Sequence, residues 1–192
     1  MTRLTALLIC CLLLTGCSPG TSPYHSTDIT GANFARTFAL RDSNGSPRTL
    51  QDFRGKLVTV FFGYIRCPDV CPTNLLTMAE VMRLLGPDAD KVQVIFVTID
   101  PERDTPELLA QYVPAFDERF IGLYGDRAQT AATAKEFRIL YRKSGNTDGD
   151  NYTVDHSAGT YIFDTAGKVR LYVKHGESAA NIADDLKKLL NE

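Results

Sequence analysis

The sequence has no excess of charge of either sign. Its 21 Lys and Arg against 23 Asp and Glu leave a formal net charge of −2 with histidine neutral, and no basic run stands out. Nucleic acid is gripped first by its phosphates, so a chain without a basic stripe is set aside from that class. Long apolar runs are missing too. The N-terminal stretch Leu4–Leu14 holds eleven residues, against the about 20 that a helix needs to cross the hydrocarbon core. No internal repeat is visible, which excludes solenoids and propellers. Cysteine is scarce, at five in 192 residues, too few for a disulfide framework. What remains is ordinary globular usage, 44% hydrophobic and 23% charged, enough for one domain with a sizeable core.

Arg3 followed by Leu4–Leu14 reads as a secretory signal. The stretch closes on Leu14-Thr15-Gly16-Cys17, which resembles the lipobox of bacterial lipoproteins, where the cysteine becomes the lipidated first residue after cleavage. On this reading residues 1–16 are a lipoprotein signal peptide. Cys17 is lipidated and holds the protein to a membrane on the extracytoplasmic, periplasmic side. Residues 17–31, rich in Ser, Thr, Pro and Gly, form a flexible tether, and residues 32–192 form the domain. The alternative is an ordinary secretory signal with a coincidental Cys17. With lipidation, Cys10 and Cys11 leave with the signal and Cys17 is acylated. Cys67 and Cys71 are then the thiols of the mature chain, in a compartment that oxidises thiols.

Along the domain, Phe38-Ala39-Leu40, the turn Asn44-Gly45 and Thr49-Leu50 predict a hairpin within residues 34–53. Leu57–Phe62 and Val92–Ile99 lack polar alternation and read as strands covered on both faces. A helical pattern leaves the cysteines at Thr73, with Leu75, Met78, Met82 and Leu85 on one stripe and Gly86-Pro87 as its stop. The two methionines are read as core rather than as soft ligands. Thr105-Pro106 resembles a helix cap and first-turn proline opening a helix to Tyr112. Then come a strand near Phe120–Leu123, a helix over 128–137 and a polar loop over 144–151. Thr160–Phe163 and Val169–Lys174 flank a turn as an antiparallel hairpin, and Ile182, Leu186 and Leu189 mark a last amphipathic helix. The fold class expected is α/β, a thioredoxin-like three-layer sandwich with a mixed central sheet and an added N-terminal β-hairpin.

Cys67 and Cys71 sit where the first buried strand hands over to its helix, a turn whose helix N–H groups favour anions. Residues four apart on a helix have Cβ atoms roughly 5–6 Å apart. A metal with bonds of about 2.3 Å fits between two such thiolates. A disulfide wants Cβ atoms near about 3.8 Å and would need local unwinding. The spacing leans to metal and leaves redox chemistry open. A metal needs a third ligand, and of three histidines His156 is the candidate. It directly precedes the strand Thr160–Phe163, which in a thioredoxin-like fold passes beside the start of the active-site helix. Asp155 is expected to support it by hydrogen bonding. His25 reads as a solvated tether residue and His175 as a surface turn. Two sulfurs and one imidazole suit Cu(I) and can hold Cu(II), whereas structural zinc wants a fourth ligand.

Cys67-Pro68-Asp69-Val70-Cys71-Pro72, then Asp100-Pro101-Glu102-Arg103-Asp104-Thr105-Pro106, then Asp155-His156 resemble, in order and separation, the SCO/SenC family of thioredoxin-like, membrane-anchored proteins. The resemblance runs from Phe34 to the C-terminus. It implies one copper ion per chain, ligated by Cys67, Cys71 and His156, and a role in assembling the dinuclear CuA centre of cytochrome c oxidase. The implied partners are the oxidase subunit carrying CuA and a periplasmic copper donor or redox partner. We expect a monomer and a binding protein rather than an enzyme. Ile65 departs from the Thr or Ser usual in the family, and Arg66 brings positive charge beside Cys67.

The competing function is a thiol–disulfide oxidoreductase that keeps the CuA-site cysteines reduced, with Cys67 and Cys71 as the redox pair. Ser157-Ala158-Gly159-Thr160 offers no cis-proline of the thioredoxin kind, and no peroxidase frame of Pro-x-x-x-Thr-x-x-Cys precedes Cys67. The Asp100–Pro106 segment reads either as a strand exit with a helix cap or as an acidic rim for docking or loop positioning.

Overall fold

A computed structural model describes residues 22–146 and 149–192. The expected signal peptide and the expected lipidation site Cys17 lie outside the described residues. Two continuous apolar segments make the centre: β4 (Leu57–Gly63) and β5 (Val92–Thr98) are buried at every position and run parallel, in register from Leu57 opposite Val92. Strands rich in Val, Ile and Phe without polar alternation need cover on both faces. Around them an eight-stranded mixed sheet has the order β1-β10-β9-β4-β5-β6-β2-β3. Here β1 is Thr27–Asp28, β2 Leu40–Asp42, β3 Pro47–Arg48, β6 Ile121–Tyr124, β9 Thr160–Phe163 and β10 Val169–Val173. β4, β5 and β6 are parallel, and the flanking pairs are antiparallel.

Successive residues of β4 look to opposite layers. Gly63 faces Cys71 on helix α1 (Val70–Leu85), while Phe62 packs on Phe137 at the end of α3 (Arg127–Glu136), ring centroids 5.0 Å apart. α1 packs along α4 (Ala179–Leu190), and α2 (Pro106–Tyr112) lies over β6, where Gly122 leaves room for Leu109 and Val113. The second layer is α3 with the segment around Phe34 and Ala35, whose rings and backbone meet Tyr161 and Glu136. This is the expected thioredoxin-like sandwich. Each helix has local reasons to begin and end. Thr105 and Ser178 cap α2 and α4, Asp126 and Gln129 form a capping box on α3, and Gly86 ends α1 at a φ of 59°. Met78 and Met82 lie in the core, as their spacing predicts.

Four local expectations are revised. The N-terminal hairpin exists as β2–β3 around Asn44-Gly45, but Thr49-Leu50 opens a 3₁₀ turn instead of extending a strand. α1 starts at Val70, before Thr73, which places Cys71 in its first turn. The polar loop over 144–151 joins two strands, β7 (Tyr141–Gly145) and β8 (Tyr152–His156), which pair in a separate two-stranded sheet.

The tether expected through residue 31 is tied to the domain at several points of its described part. Thr27 and Asp28 pair with Tyr172 and Leu171, and Tyr24 and Ser26 are buried. The cause is Asp185. Fully buried on α4, its carboxylate accepts the backbone N–H groups of His25 and Ser26, both at 2.8 Å. Lys188 Nζ donates to the Pro23 carbonyl at 2.6 Å, and the Tyr24 hydroxyl bonds Glu192.

Asp185→Ala leaves the buried Ser26 N–H and the partly buried His25 N–H without acceptors. A loss of about 1–3 kcal/mol in urea unfolding is expected, with faster hydrogen exchange confined to residues 24–28. An unchanged midpoint would reject the clasp.

Candidate metal centre

The site begins where β4 runs out. Gly63 is its last residue, the Cys67 N–H donates to the Tyr64 carbonyl at 3.2 Å, and Asp69 precedes α1 without capping it through its side chain. First-turn amides of a helix lack backbone acceptors. Here the Cys71 N–H donates to the Cys67 sulfur at 3.4 Å, so Cys67 takes the place of a cap. It is half-buried, while Cys71 has no exposed surface.

Gly63 is what lets Cys71 in. A Cβ on Gly63 would stand 2.7 Å from Cys71 Sγ and 2.9 Å from the Phe96 ring. The sulfur therefore rests against a bare Cα. Burial pushes the Cys71 thiol well above its ordinary range, opposed only in part by a backbone hydrogen bond from Tyr64. The metal-free thiol is neutral.

His156 arrives on β8. Its Nε2 lies 3.6 Å from Cys71 Sγ, and its Nδ1 lies 2.9 Å from the Ser157 carbonyl. A carbonyl only accepts, so in the neutral ring Nδ1 carries the proton and the Nε2 lone pair faces the sulfur. Burial lowers the His156 pKa, which keeps the ring neutral. Phe61 and Tyr64 hold it edge to face at 6.1 and 6.0 Å. One ligand atom from each of Cys67, Cys71 and His156 comes within 4.8 Å of the others. Two sulfurs and one imidazole nitrogen, without a carboxylate among them, fit a soft ion such as Cu(I).

The support expected from Asp155 comes from the Ser157 carbonyl. Strand alternation turns Asp155 away, where its exposed carboxylate lies 3.5 Å from Arg142. Arg66 likewise reaches away from Cys67, to the Asp150 carbonyl at 3.3 Å. His175 is exposed. His25, with Asp184 and Asp185, forms a second group of ligand atoms. Lys188 already occupies Asp184 at 2.7 Å, and both Asp185 oxygens hold amides.

The acidic rim is corrected. Asp100 and Asp104 are each 2% exposed. Asp104 accepts from Thr98 Oγ1 at 2.6 Å and from the Ile65 N–H at 3.1 Å, and burial raises its pKa to about 6. It ties the end of β5 to the loop that carries Cys67. Burial removes the exposed rim, while the loop-positioning alternative for this segment holds at Asp104; glycine reads as a turn former, so the role of Gly63 carried no signal. The alternation Tyr152-Thr153-Val154-Asp155 was a legible strand signal for β8. Among the described residues, no helix is long and apolar enough to cross a membrane, and no peptide bond is cis.

Two outcomes follow. Gly63→Ala forces α1 off the sheet, with a stability loss of about 1–3 kcal/mol by overpacking and weaker metal binding in a competition titration. In metal-free protein, iodoacetamide labels Cys67 before Cys71. The Cys71 rate keeps climbing with pH through the alkaline range because only thiolate reacts. Equal labelling at neutral pH would contradict the burial of Cys71.

A family model described as SCO1/SenC matches residues 26–191. A SCO2-like protein of Rickettsia felis is 40% identical over 139 residues, covering 72% of this chain and 66% of its own length. The chain thus spans just under two thirds of that relative. Among solved structures, Bradyrhizobium japonicum ScoI with copper bound is 42% identical with a TM-score of 0.73, covering 80% of this chain and 97% of that one. Apo Sco1 from Thermus thermophilus is 36% identical with a TM-score of 0.76, covering 88% and 99%. With that match spanning nearly the whole described domain and a Cys-Cys-His group at its site, the chain belongs to the SCO1/SenC family.

Proposed function

We propose that the protein binds one copper ion through Cys67, Cys71 and His156 and delivers it to the CuA centre of a cytochrome c oxidase subunit. The observation that carries this reading is the convergence of three soft donors within 4.8 Å, with the histidine tautomer already set for Nε2. The copper-bound Bradyrhizobium relative supports it. Copper is cargo here, so the site must release it as well as hold it. Incoming thiolates of the target displace His156 first, because it is a neutral donor on a separate hairpin and two thiolates suffice for Cu(I). The half-buried Cys67 yields next and the buried Cys71 last. The N-terminal sequence supports lipidation at Cys17 and an extracytoplasmic membrane-held position, where a periplasmic donor would load the site.

A second reading has its own observation. Cys67 and Cys71 are both free thiols with sulfurs within 4.8 Å of each other. Giving up two protons and two electrons to a target disulfide would join them and leave the target with two thiols. The two activities can reside in one protein.

The test is copper stoichiometry and affinity of the reduced protein and of His156→Ala. The variant is expected to keep one Cu(I) on its two cysteines with affinity lowered by more than about a hundredfold, beyond the usual effect of losing an outer partner. Cu(II) binding should disappear. Full-affinity binding by His156→Ala would sink the ligand assignment. A disulfide-reductase rate that survives the substitution would favour the second reading.

A further inference from the structure

The hairpin β7–β8 carries His156 but is not hydrogen-bonded into the main sheet. Its position depends on side chains packed under it, and one of these reaches further than the rest. Arg103 lies in the turn after β5 with its side chain 4% exposed. Its Nε donates to Asp100 at 2.5 Å, and its Nη1 donates to the carbonyls of Asp150 at 2.9 Å and Tyr152 at 2.8 Å. The guanidinium lies 3.5 Å from the centroid of the Tyr152 ring, and the Tyr152 hydroxyl closes the circuit on Asp100 at 2.7 Å. Tyr152 and Val154 face the interior of β8, and His156 follows at the same two-residue step.

We infer that Arg103 is a positioning residue for the metal centre, acting through the hairpin to hold His156 Nε2 against Cys71. This rests on the proposed copper reading and deepens it. The turn Asp100–Asp104 has two hands. Asp104 grips the cysteine loop at Ile65, and Arg103 grips the hairpin at Asp150 and Tyr152. Both halves of the site are thereby referred to one rigid point at the end of β5. A buried ion pair is weak grounds for stability and better grounds for fixing a register. Arg103 also leaves Nη2 without a partner, a cost that makes sense where placement matters. Only a planar fork can serve a carboxylate, two carbonyls and a ring face together, so lysine is no substitute.

The test compares the full-length chain, reduced and in detergent, with Arg103→Lys, Tyr152→Phe, His156→Ala and the Arg103→Lys/His156→Ala double variant. Thermal unfolding, hydrogen exchange and Cu(I) competition are measured on each. Arg103→Lys is expected to stay folded, to speed exchange in residues 149–156, and to weaken Cu(I) by about tenfold, the scale of losing an outer partner of a metal-binding histidine. Tyr152→Phe should move in the same direction by less. The double variant should bind Cu(I) no more weakly than His156→Ala alone, because Arg103 acts only through that ligand. Additive losses in the double variant, or wild-type exchange and affinity in Arg103→Lys, would overturn the inference. If the unmutated protein takes up no copper, the copper reading falls, while the exchange data on metal-free protein still decide whether Arg103 holds the hairpin.

Discussion

The structure depends on one close approach, the sulfur of Cys71 against the bare Cα of Gly63. It brings the first turn of α1 onto the last residue of the central strand, so a donor atom becomes part of the core. Phe61 and Phe96 close on the same bare Cα, and Tyr64 supplies the sulfur a backbone hydrogen bond. A donor placed this way has almost no conformational freedom to lose when it coordinates, unlike a cysteine on a mobile loop. Burial has a second effect. It keeps the thiol protonated and out of reach, so the buried sulfur is quiet until a metal takes the proton's place.

Around that fixed donor the other two differ in kind. Cys67 is local, four residues away and held as a substitute cap. His156 is remote, 85 residues along the chain from Cys71, and is delivered by a hairpin outside the main sheet. A centre built wholly on the core would bind copper and keep it. One built on two detached loops would be too loosely arranged to bind well. Under the proposed copper role, retention would fall to the two cysteines at the helix start and release to the hairpin, with the turn after β5 setting the distance between them.

The parts of this arrangement that were legible in the sequence are those expressed in side-chain pattern. β4 and β5 announced themselves as unbroken apolar runs, α1 as a stripe, and the cysteines as neighbours. His156 was pointed to by its place before β9 and by the family motif. The parts that were not legible use groups that carry no pattern. Asp185 binds backbone amides, which every residue has, so the packing of residues 24–28 was invisible. Asp100 and Asp104 look like surface carboxylates until their partners are known. Ser157 acts through its carbonyl, and β7 is polar because its side chains face solvent. Tertiary partners, not local propensity, decide each of these cases.

The clasp at Asp185 fixes more than a stretch of chain. Pro23 is held by Lys188, next to Lys187, whose Nζ donates to the Leu84 carbonyl at the last turn of α1. Cys71 lies in the first turn of that helix, whose 16 residues measure about 24 Å at 1.5 Å per residue. The described chain therefore enters the domain at one pole and presents its Cys-Cys-His group at the other. A molecule held by its N-terminus is held from behind. With Cys17 lipidated as proposed, the domain would stand on that pole, and a partner would have to project by about the height of the domain to reach the Cys-Cys-His group.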